Sequence, residues 1–165
     1  MRAKKTTKAC IDKDLGLPTV FVRLNGAGFG FTFLIDTSVR HNLIDPCFFE
    51  EWINSALIPA IENSECIIEH YPVFPPPHEK KGIKRIVCKD GIKRVCETVK
   101  LDFTIDERKY SELFAIDPSM CQYFNSRKSK QIAGILGNDF LKKYKWILDY
   151  SEKFKTIDSP EIRTT

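Results

Sequence analysis

The sequence has few features of a membrane, secreted or zinc-binding protein. In 165 residues, no segment approaches the ~18 consecutive apolar residues that span a bilayer. The basic, polar start over 1–18 has no signal-peptide core. The six cysteines include no CxxC pair, and no nearby histidine completes a ligand set, which argues against a zinc site. If Met1 is the native start, we expect a cytoplasmic protein with reduced cysteines.

The charge of the chain does not indicate a particular class of partner. The net charge is +4, with a mild basic excess between Lys80 and Lys109. No aromatic-and-basic motif accompanies that excess, so a solvated face explains it better than a nucleic-acid partner. We expect no nucleic acid, no membrane, no metal and no cofactor.

The composition is that of one folded domain. Apolar residues make up 42% of the chain, and phenylalanine alone occurs 12 times, which suits a domain with a substantial core. We predict a flexible N-terminal lead over 1–17, a folded domain over 18–157 and a polar C-terminal tail over 158–165.

One stretch combines an apolar strand with a carboxylate. Phe31–Ile35 is a mostly apolar run, and Asp36-Thr37-Ser38 follows it directly. A carboxylate at the buried end of a strand is costly unless it is hydrogen-bonded or paired. Asp36 could be a turn carboxylate that caps nearby amides, or half of a functional pair.

The rest of the chain is strand-like, with two hairpin signals and two short helices. Asn25–Gly30 separates two strands, and Lys89-Asp90-Gly91 separates two others. Asp45 and Pro46 form a helix start, and Cys66–Ile68 could be a short strand. Further strands are predicted at 99–105, 110–116 and 132–136, a helix through about Tyr144, and a closing hairpin of Trp146–Tyr150 with Phe154–Ile157.

Two segments repeat at an offset of 81 residues. Phe33, Ile35, Asp36 and Ser38 correspond to Phe114, Ile116, Asp117 and Ser119, and the strands before them also match. The repeat predicts two related β half-units around a pseudo-twofold axis. Asp117 is followed by Pro118, so we interpret it as a turn residue.

Two motifs in order carry a family resemblance. Leu34-Ile35-Asp36-Thr37-Ser38 resembles the apolar-apolar-Asp-Thr-Gly signature of aspartic proteases. The stretch from Gly134 to Leu141, a buried strand, a glycine break and a short helix, resembles the second signature of the single-lobed, retroviral-type (retropepsin-like) members, among them bacterial-type ones. The resemblance covers roughly Pro18 to Ile157.

The resemblance implies an all-β fold, a single-lobed acid-protease-like closed barrel with short helices. It implies an aspartic endopeptidase that acts on a peptide or protein substrate as a homodimer, with one Asp36 from each chain and no cofactor. It makes Asp36, Thr37 and Ser38 the catalytic motif, with Thr37 bracing the dimer. It places Asp90 and Gly91 in a flap, and it assigns substrate contacts to Asp90, Gly91, Ile135 and Leu136.

The motif also departs from the family pattern. The family has glycine where this chain has Ser38, and Val39-Arg40-His41 follows where small, polar or acidic residues are usual. Arg40 could pair with Asp139. The alternatives are a catalytically inactive member that binds peptides or dimerises, and a monomer in which Asp36 finds no partner.

Overall fold

A computed structural model describes residues 5–12, 14–24, 30–54, 62–63, 66–67, 80–121, 123, 131–149 and 161–164. Most of them lie in strands. The strands are β1 (Lys5–Lys8), β2 (Cys10–Asp12), β3 (Leu17–Leu24), β4 (Gly30–Ile35), β5 (Leu43–Ile44), β6 (Glu62–Asn63), β7 (Cys66–Ile67), β8 (Lys80–Val87), β9 (Lys93–Ile105), β10 (Arg108–Ile116), β11 (Ile132–Leu136), β12 (Ile147–Asp149) and β13 (Glu161–Thr164).

Two short α-helices accompany the strands. Helix α1 (Pro46–Phe48) continues as a π-helix over Phe49–Asn54, and α2 spans Asn138–Lys143. A 3₁₀ turn covers Pro118–Met120. Among the described residues, no helix has the length and apolar character needed to cross a bilayer.

The main sheet closes into a barrel. Its order is β2-β3-β4-β11-β5-β10-β9-β8, and β3 also pairs with β9. That extra pairing closes a ring of six strands, from β3 through β4, β11, β5, β10 and β9, while β2 and β8 lie outside the ring. The predicted all-β closed barrel is therefore confirmed.

The repeat in the sequence corresponds to a pseudo-twofold axis through this barrel. Arg23 pairs with Thr104 in antiparallel register, and these residues are 81 positions apart, the offset of the repeat. On the other side of the barrel Leu43 pairs with Ile135. These two are also counterparts, because Ile135 lies beside Leu34, and Leu43 lies beside Ala115, the repeat position of Leu34. Each residue thus faces its own counterpart, and the axis passes through both pairings. The segment β5–α1 is thus the counterpart of β11–α2. This second structural repeat is not visible in the sequence pattern.

Aromatic side chains from both halves fill the barrel. The counterparts Phe33 and Phe114 are both fully buried, and their rings meet edge to face at 5.8 Å. Phe103 contacts Phe114 at 5.7 Å. Burial of several such rings is the main stabilising term of the fold.

The ends of the chain depart from the prediction. Strands β1 and β2 lie in the segment predicted as a flexible lead, and β13 lies in the predicted polar tail. β13 pairs with both β1 and β12 in a separate three-stranded sheet. The hairpin predicted between Trp146–Tyr150 and Phe154–Ile157 falls partly outside the described residues, and β12 pairs with β13. Because β1 and β13 are mostly polar, they have no apolar pattern from which this pairing could be predicted.

The local predictions within the barrel agree better with the structure. Asp45 caps α1, since its Oδ1 accepts hydrogen bonds from the amides of Cys47 at 2.7 Å and Phe48 at 3.3 Å. The hairpin at Lys89–Gly91 is present between β8 and β9, with Gly91 at a φ of 84°. The predicted turn over 25–29 and the proline-rich stretch 71–78 lie outside the described residues.

Candidate functional site

Asp36 lies where β4 ends at the rim of the barrel. Its amide donates to the carbonyl oxygen of Leu136 on β11 at 3.2 Å, and its side chain is buried, with the residue only 4% exposed. The apolar strand carries the carboxylate to this edge, and the parallel pairing of β4 with β11 fixes its height there. A buried carboxylate in this position needs hydrogen-bond donors around it.

Ser38 supplies two of these donors. Its amide donates to Asp36 Oδ1 at 2.9 Å, and its hydroxyl donates to the same oxygen at 2.6 Å. The amide of Val39 also donates to the Asp36 carbonyl oxygen at 3.3 Å. The hydroxyl that the family's glycine would lack is thus turned onto the carboxylate.

Lys89 supplies the third donor, from the tip of the β8–β9 hairpin. Its amine forms an ion pair with Asp36 Oδ2. Burial raises the pKa of Asp36, but hydrogen bonds from Lys89 and Ser38 outweigh burial and hold the pKa below the usual value of 3.8. The carboxylate is therefore ionised and neutralised within one chain.

Asp117 forms a second, matching turn. Its amide donates to the Ile44 carbonyl oxygen at 3.1 Å, as that of Asp36 does to Leu136. The amide and hydroxyl of Ser119 both donate to Asp117 Oδ1 at 2.8 Å. The two Asp-x-Ser turns are the same structure on the two sides of the pseudo-twofold axis.

The two turns hold the same hairpin tip. The Lys89 amide donates to Asp117 Oδ2 at 2.7 Å, while the Lys89 amine contacts Asp36. The Asp90 amide donates to the Ser119 hydroxyl at 3.3 Å. Asp117 is completely buried, so the tip is anchored by its backbone to one turn and by a side chain to the other.

The loop after Ser38 is braced by the start of α2. The amides of Asn138 and Asp139 donate to the carbonyl oxygens of Val39 at 2.7 Å and Arg40 at 3.0 Å. The predicted Arg40–Asp139 ion pair is present, with Arg40 Nε 3.3 Å from Asp139 Oδ2. At Gly137 a Cβ atom would lie 2.4 Å from the His41 carbonyl oxygen, so only glycine fits.

The predicted catalytic motif stays together, whereas the predicted substrate contacts separate. Thr37 is exposed beside Asp36 and Ser38. Asp90 lies at the hairpin tip with its carboxylate bound to Arg94 at 2.8 and 2.7 Å, and Gly91 forms the turn. That clamp lowers the pKa of Asp90 to about 2.

Ile135 and Leu136 are both completely buried. Their side chains pack in the core, and the Leu136 carbonyl oxygen accepts the hydrogen bond that positions Asp36.

The sequence does not single out Lys89, which it places only in a hairpin turn. Asp117, predicted as a turn residue, does begin a turn, and it also holds the hairpin tip. The repeat did carry a signal for Asp117, because an Asp-x-Ser counterpart of the Asp36 motif is expected to form the same turn. No sequence signal joins Lys89 to Asp36.

Solved structures share this fold. A retropepsin-like aspartic protease from Rickettsia conorii is similar with a TM-score of 0.50 at 10% identity, covering 99% of this chain and 96% of that chain. Basic 7S globulin from soybean has a TM-score of 0.50 at 10% identity, covering 97% of this chain. This chain spans about half of the globulin, 49%. No family model and no curated protein matches the sequence. At this identity the likeness shows the fold alone.

Proposed function

We propose that the chain is an aspartic endopeptidase of retropepsin type, in which Asp36 from each of two copies forms the catalytic dyad. The observation that supports this most is the Asp36 turn itself. A buried carboxylate stands at the barrel rim with one oxygen held by the Ser38 amide, in a fold that a retropepsin-like aspartic protease also has.

In this proposal the second carboxylate comes from another chain. Asp117 is the counterpart of Asp36 within the chain, but it is completely buried, and its Oδ2 accepts from the backbone amide of Lys89, whereas Asp36 Oδ2 is held by a side chain that can rotate away. Among the described residues, Ser38 and Lys89 are the side chains that hydrogen-bond the Asp36 carboxylate. A twofold dimer would instead bring Asp36 face to face with its own copy.

The dyad chemistry then follows from charge. Two carboxylates a few ångströms apart cannot both ionise, and aspartic proteases are the standard example of such a pair sharing one proton. One carboxylate takes a proton from water as that water attacks the peptide carbonyl, and the other donates its proton to the carbonyl oxygen. Thr37, exposed next to Asp36, would brace the two turns against each other.

This mechanism requires the hairpin tip to move. Lys89 keeps Asp36 ionised, whereas the dyad needs one carboxyl group to be protonated. In the proposed cycle the Lys89 amine leaves Asp36 as substrate enters, while the hairpin closes over the peptide and excludes water. The flap assigned to Asp90 and Gly91 is then centred on Lys89.

A groove beside Thr37 supports the dimer. It encloses about 590 Å³ between α2 and β12, and its walls include Leu141, Trp146 and Ile147. Ile147 is 55% exposed. A second chain could cover this apolar wall, which would remove the cost of its exposure.

The decisive experiment compares Asp36→Asn with Asp102→Asn on a peptide library at mildly acidic pH. Asp102 is an exposed carboxylate on β9, so its change serves as the matched control. We expect wild-type protein and Asp102→Asn to cleave and Asp36→Asn to lose at least about 10³-fold in rate, as loss of a principal catalytic group does. Cleavage that survives Asp36→Asn contradicts the proposal.

A mixing experiment tests the shared site separately. Wild-type chains titrated with excess Asp36→Asn chains would form mixed dimers that hold a single carboxyl group. Activity should fall below the level of wild-type protein alone, as wild-type dimers disappear. Activity that stays constant would show that each chain works by itself.

A second function is favoured by one contact, the Lys89–Asp36 ion pair. If that pair is permanent, the fold serves as a catalytically inactive module that dimerises or binds peptides. Wild-type protein would then dimerise or bind peptides without cleaving any library peptide.

A further inference from the structure

The exposed thiols of Cys47 and Cys121 lie side by side although they are far apart in sequence. Their sulfur atoms are 3.3 Å apart, and the Cys47 thiol is also 3.3 Å from the Cys121 carbonyl oxygen. Cys47 lies in the first turn of α1 and is partly exposed, and Cys121 follows the 3₁₀ turn and is exposed. Neither takes part in the proposed dyad.

We propose that Cys47 and Cys121 are an oxidation site that closes to a disulfide when the protein meets a peroxide. A disulfide has an S–S length of about 2.05 Å, so the sulfurs need to approach by roughly 1.3 Å. Both side chains lie at the surface, where a small rotamer change accommodates that movement.

The chemistry balances with hydrogen peroxide as the oxidant. The Cys121 thiolate attacks one peroxide oxygen, the O–O bond breaks, and hydroxide leaves with the electron pair, giving a sulfenic acid. The Cys47 thiolate then attacks the Cys121 sulfur, and the S–O bond breaks as a second hydroxide leaves. Both hydroxides take up the thiol protons, so two thiols lose two electrons and peroxide becomes two waters.

The order of the steps follows from the surroundings. Cys121 is exposed, whereas a hydrogen bond with Cys121, burial and the nearby Asp45 carboxylate raise the pKa of Cys47 to about 11. Cys121 is therefore the thiol that meets the oxidant, and Cys47 is the one that resolves the sulfenic acid.

The chain contains its own comparison pair. Cys88 and Cys96 have sulfur atoms 3.7 Å apart, but both are buried residues of the β8–β9 hairpin. Burial raises the pKa of Cys88 to about 12. Proximity alone would oxidise both pairs, whereas proximity combined with solvent access selects Cys47 and Cys121.

The bond would also connect the site to the redox state. Cys121 directly follows Pro118–Met120, the turn that Asp117 begins, and the Asp117 carboxylate holds the Lys89 amide. A disulfide to α1 would fix this turn against the body of the barrel. We expect slower hydrogen exchange at the Lys89 amide in the oxidised protein.

The test is peptide mapping of the full chain under non-reducing conditions. Fully reduced protein is treated with one equivalent of hydrogen peroxide, quenched with an alkylating agent, and digested with proteases that cut after basic residues and after glutamate. Cleavage at Glu50 or Glu51 separates Cys47 from Cys66. We expect a cross-linked Cys47–Cys121 peptide, lighter than its reduced parts by two hydrogen atoms, with Cys88 and Cys96 alkylated.

A variant without Cys47 sharpens the result. In Cys47→Ser, oxidised glutathione should leave a mixed disulfide trapped on Cys121, whereas wild-type protein should resolve it into the internal bond. The proposal would be overturned if Cys88 and Cys96 cross-link before Cys47 and Cys121 do. It would also be overturned if Cys121 of wild-type protein is overoxidised and no cross-link forms. Bond formation is read from mass, so the result is independent of any peptidase activity.

Discussion

The amine of Lys89 and the carboxylate of Asp36 form an ion pair between residues 53 positions apart, at the centre of the candidate site. The Lys89 side chain is 19% exposed and that of Asp36 5% exposed. The pair therefore lies largely out of water, where removing one partner leaves an uncompensated charge. In the proposed mechanism, peptide cleavage depends on how readily this contact opens.

Replacement of Lys89 by methionine should raise the pKa of Asp36. Burial alone raises that pKa, and the Lys89 hydrogen bond and charge are among the contacts that oppose it. A ¹³C titration of the Asp36 carboxyl group measures the change, with Lys93→Met, an exposed neighbour on β9, as control. An unchanged pKa would mean that the ion pair is absent in solution.

The same pair predicts how stability depends on pH. A carboxyl group whose pKa is lowered by folding stabilises the protein above its unfolded value, here 3.8, and loses that contribution as pH falls through the folded pKa. Wild-type protein should thus lose more free energy of unfolding between pH 6 and pH 3 than Lys89→Met. Denaturant titrations at both pH values measure the difference, and equal losses would contradict it.

Ser38 can be dissected with two substitutions. Ser38→Ala removes the hydroxyl that donates to Asp36 at 2.6 Å, and Ser38→Gly removes the Cβ as well, while both keep the backbone donor. We expect either change to raise the Asp36 pKa. If Cβ crowding limits catalysis, only Ser38→Gly should increase the rate of peptide cleavage. Equal rates in both variants would assign the effect to the hydroxyl.

Asp117→Asn should loosen the hairpin tip. The carboxylate accepts three hydrogen bonds through two oxygens, whereas an amide has one acceptor and would turn an N–H group toward a donor. We expect a loss of about 1–3 kcal/mol of unfolding free energy and faster hydrogen exchange at the Lys89 amide. Asp102→Asn, on an exposed face, should cost no more than about 0.5 kcal/mol. Equal exchange rates in both variants would exclude the anchor.

Gly137→Ala should destabilise the junction between β11 and α2. A Cβ there would meet the His41 and Arg40 carbonyl oxygens at 2.4 and 2.8 Å, and backbone cannot easily move aside. We expect a loss of about 1–3 kcal/mol or more. Gly91→Ala is a useful comparison, because nothing lies within 4 Å and only its φ of +84° opposes a side chain. A smaller loss at Gly137 than at Gly91 would refute the packing argument.

The sequence determined the local parts of this protein. The apolar run before Asp36, the Asp45 cap with Pro46 and the Asp90-Gly91 hairpin each follow from interactions among neighbouring residues, which a pattern records directly. The repeat of Asp36 and Ser38 at Asp117 and Ser119 likewise predicted two half-units, and the structure joins them about a pseudo-twofold axis.

Only the tertiary structure decided which strands pair with each other and which side chains come into contact. Arg23 pairs with Thr104 and closes the barrel, β13 joins β1 and β12, and Lys89 reaches Asp36. These contacts join segments that are far apart in sequence, and their free energy arises only when the whole barrel has closed. The sequence could therefore predict that Asp36 needs a partner, but only the folded chain places the Lys89 amine beside it.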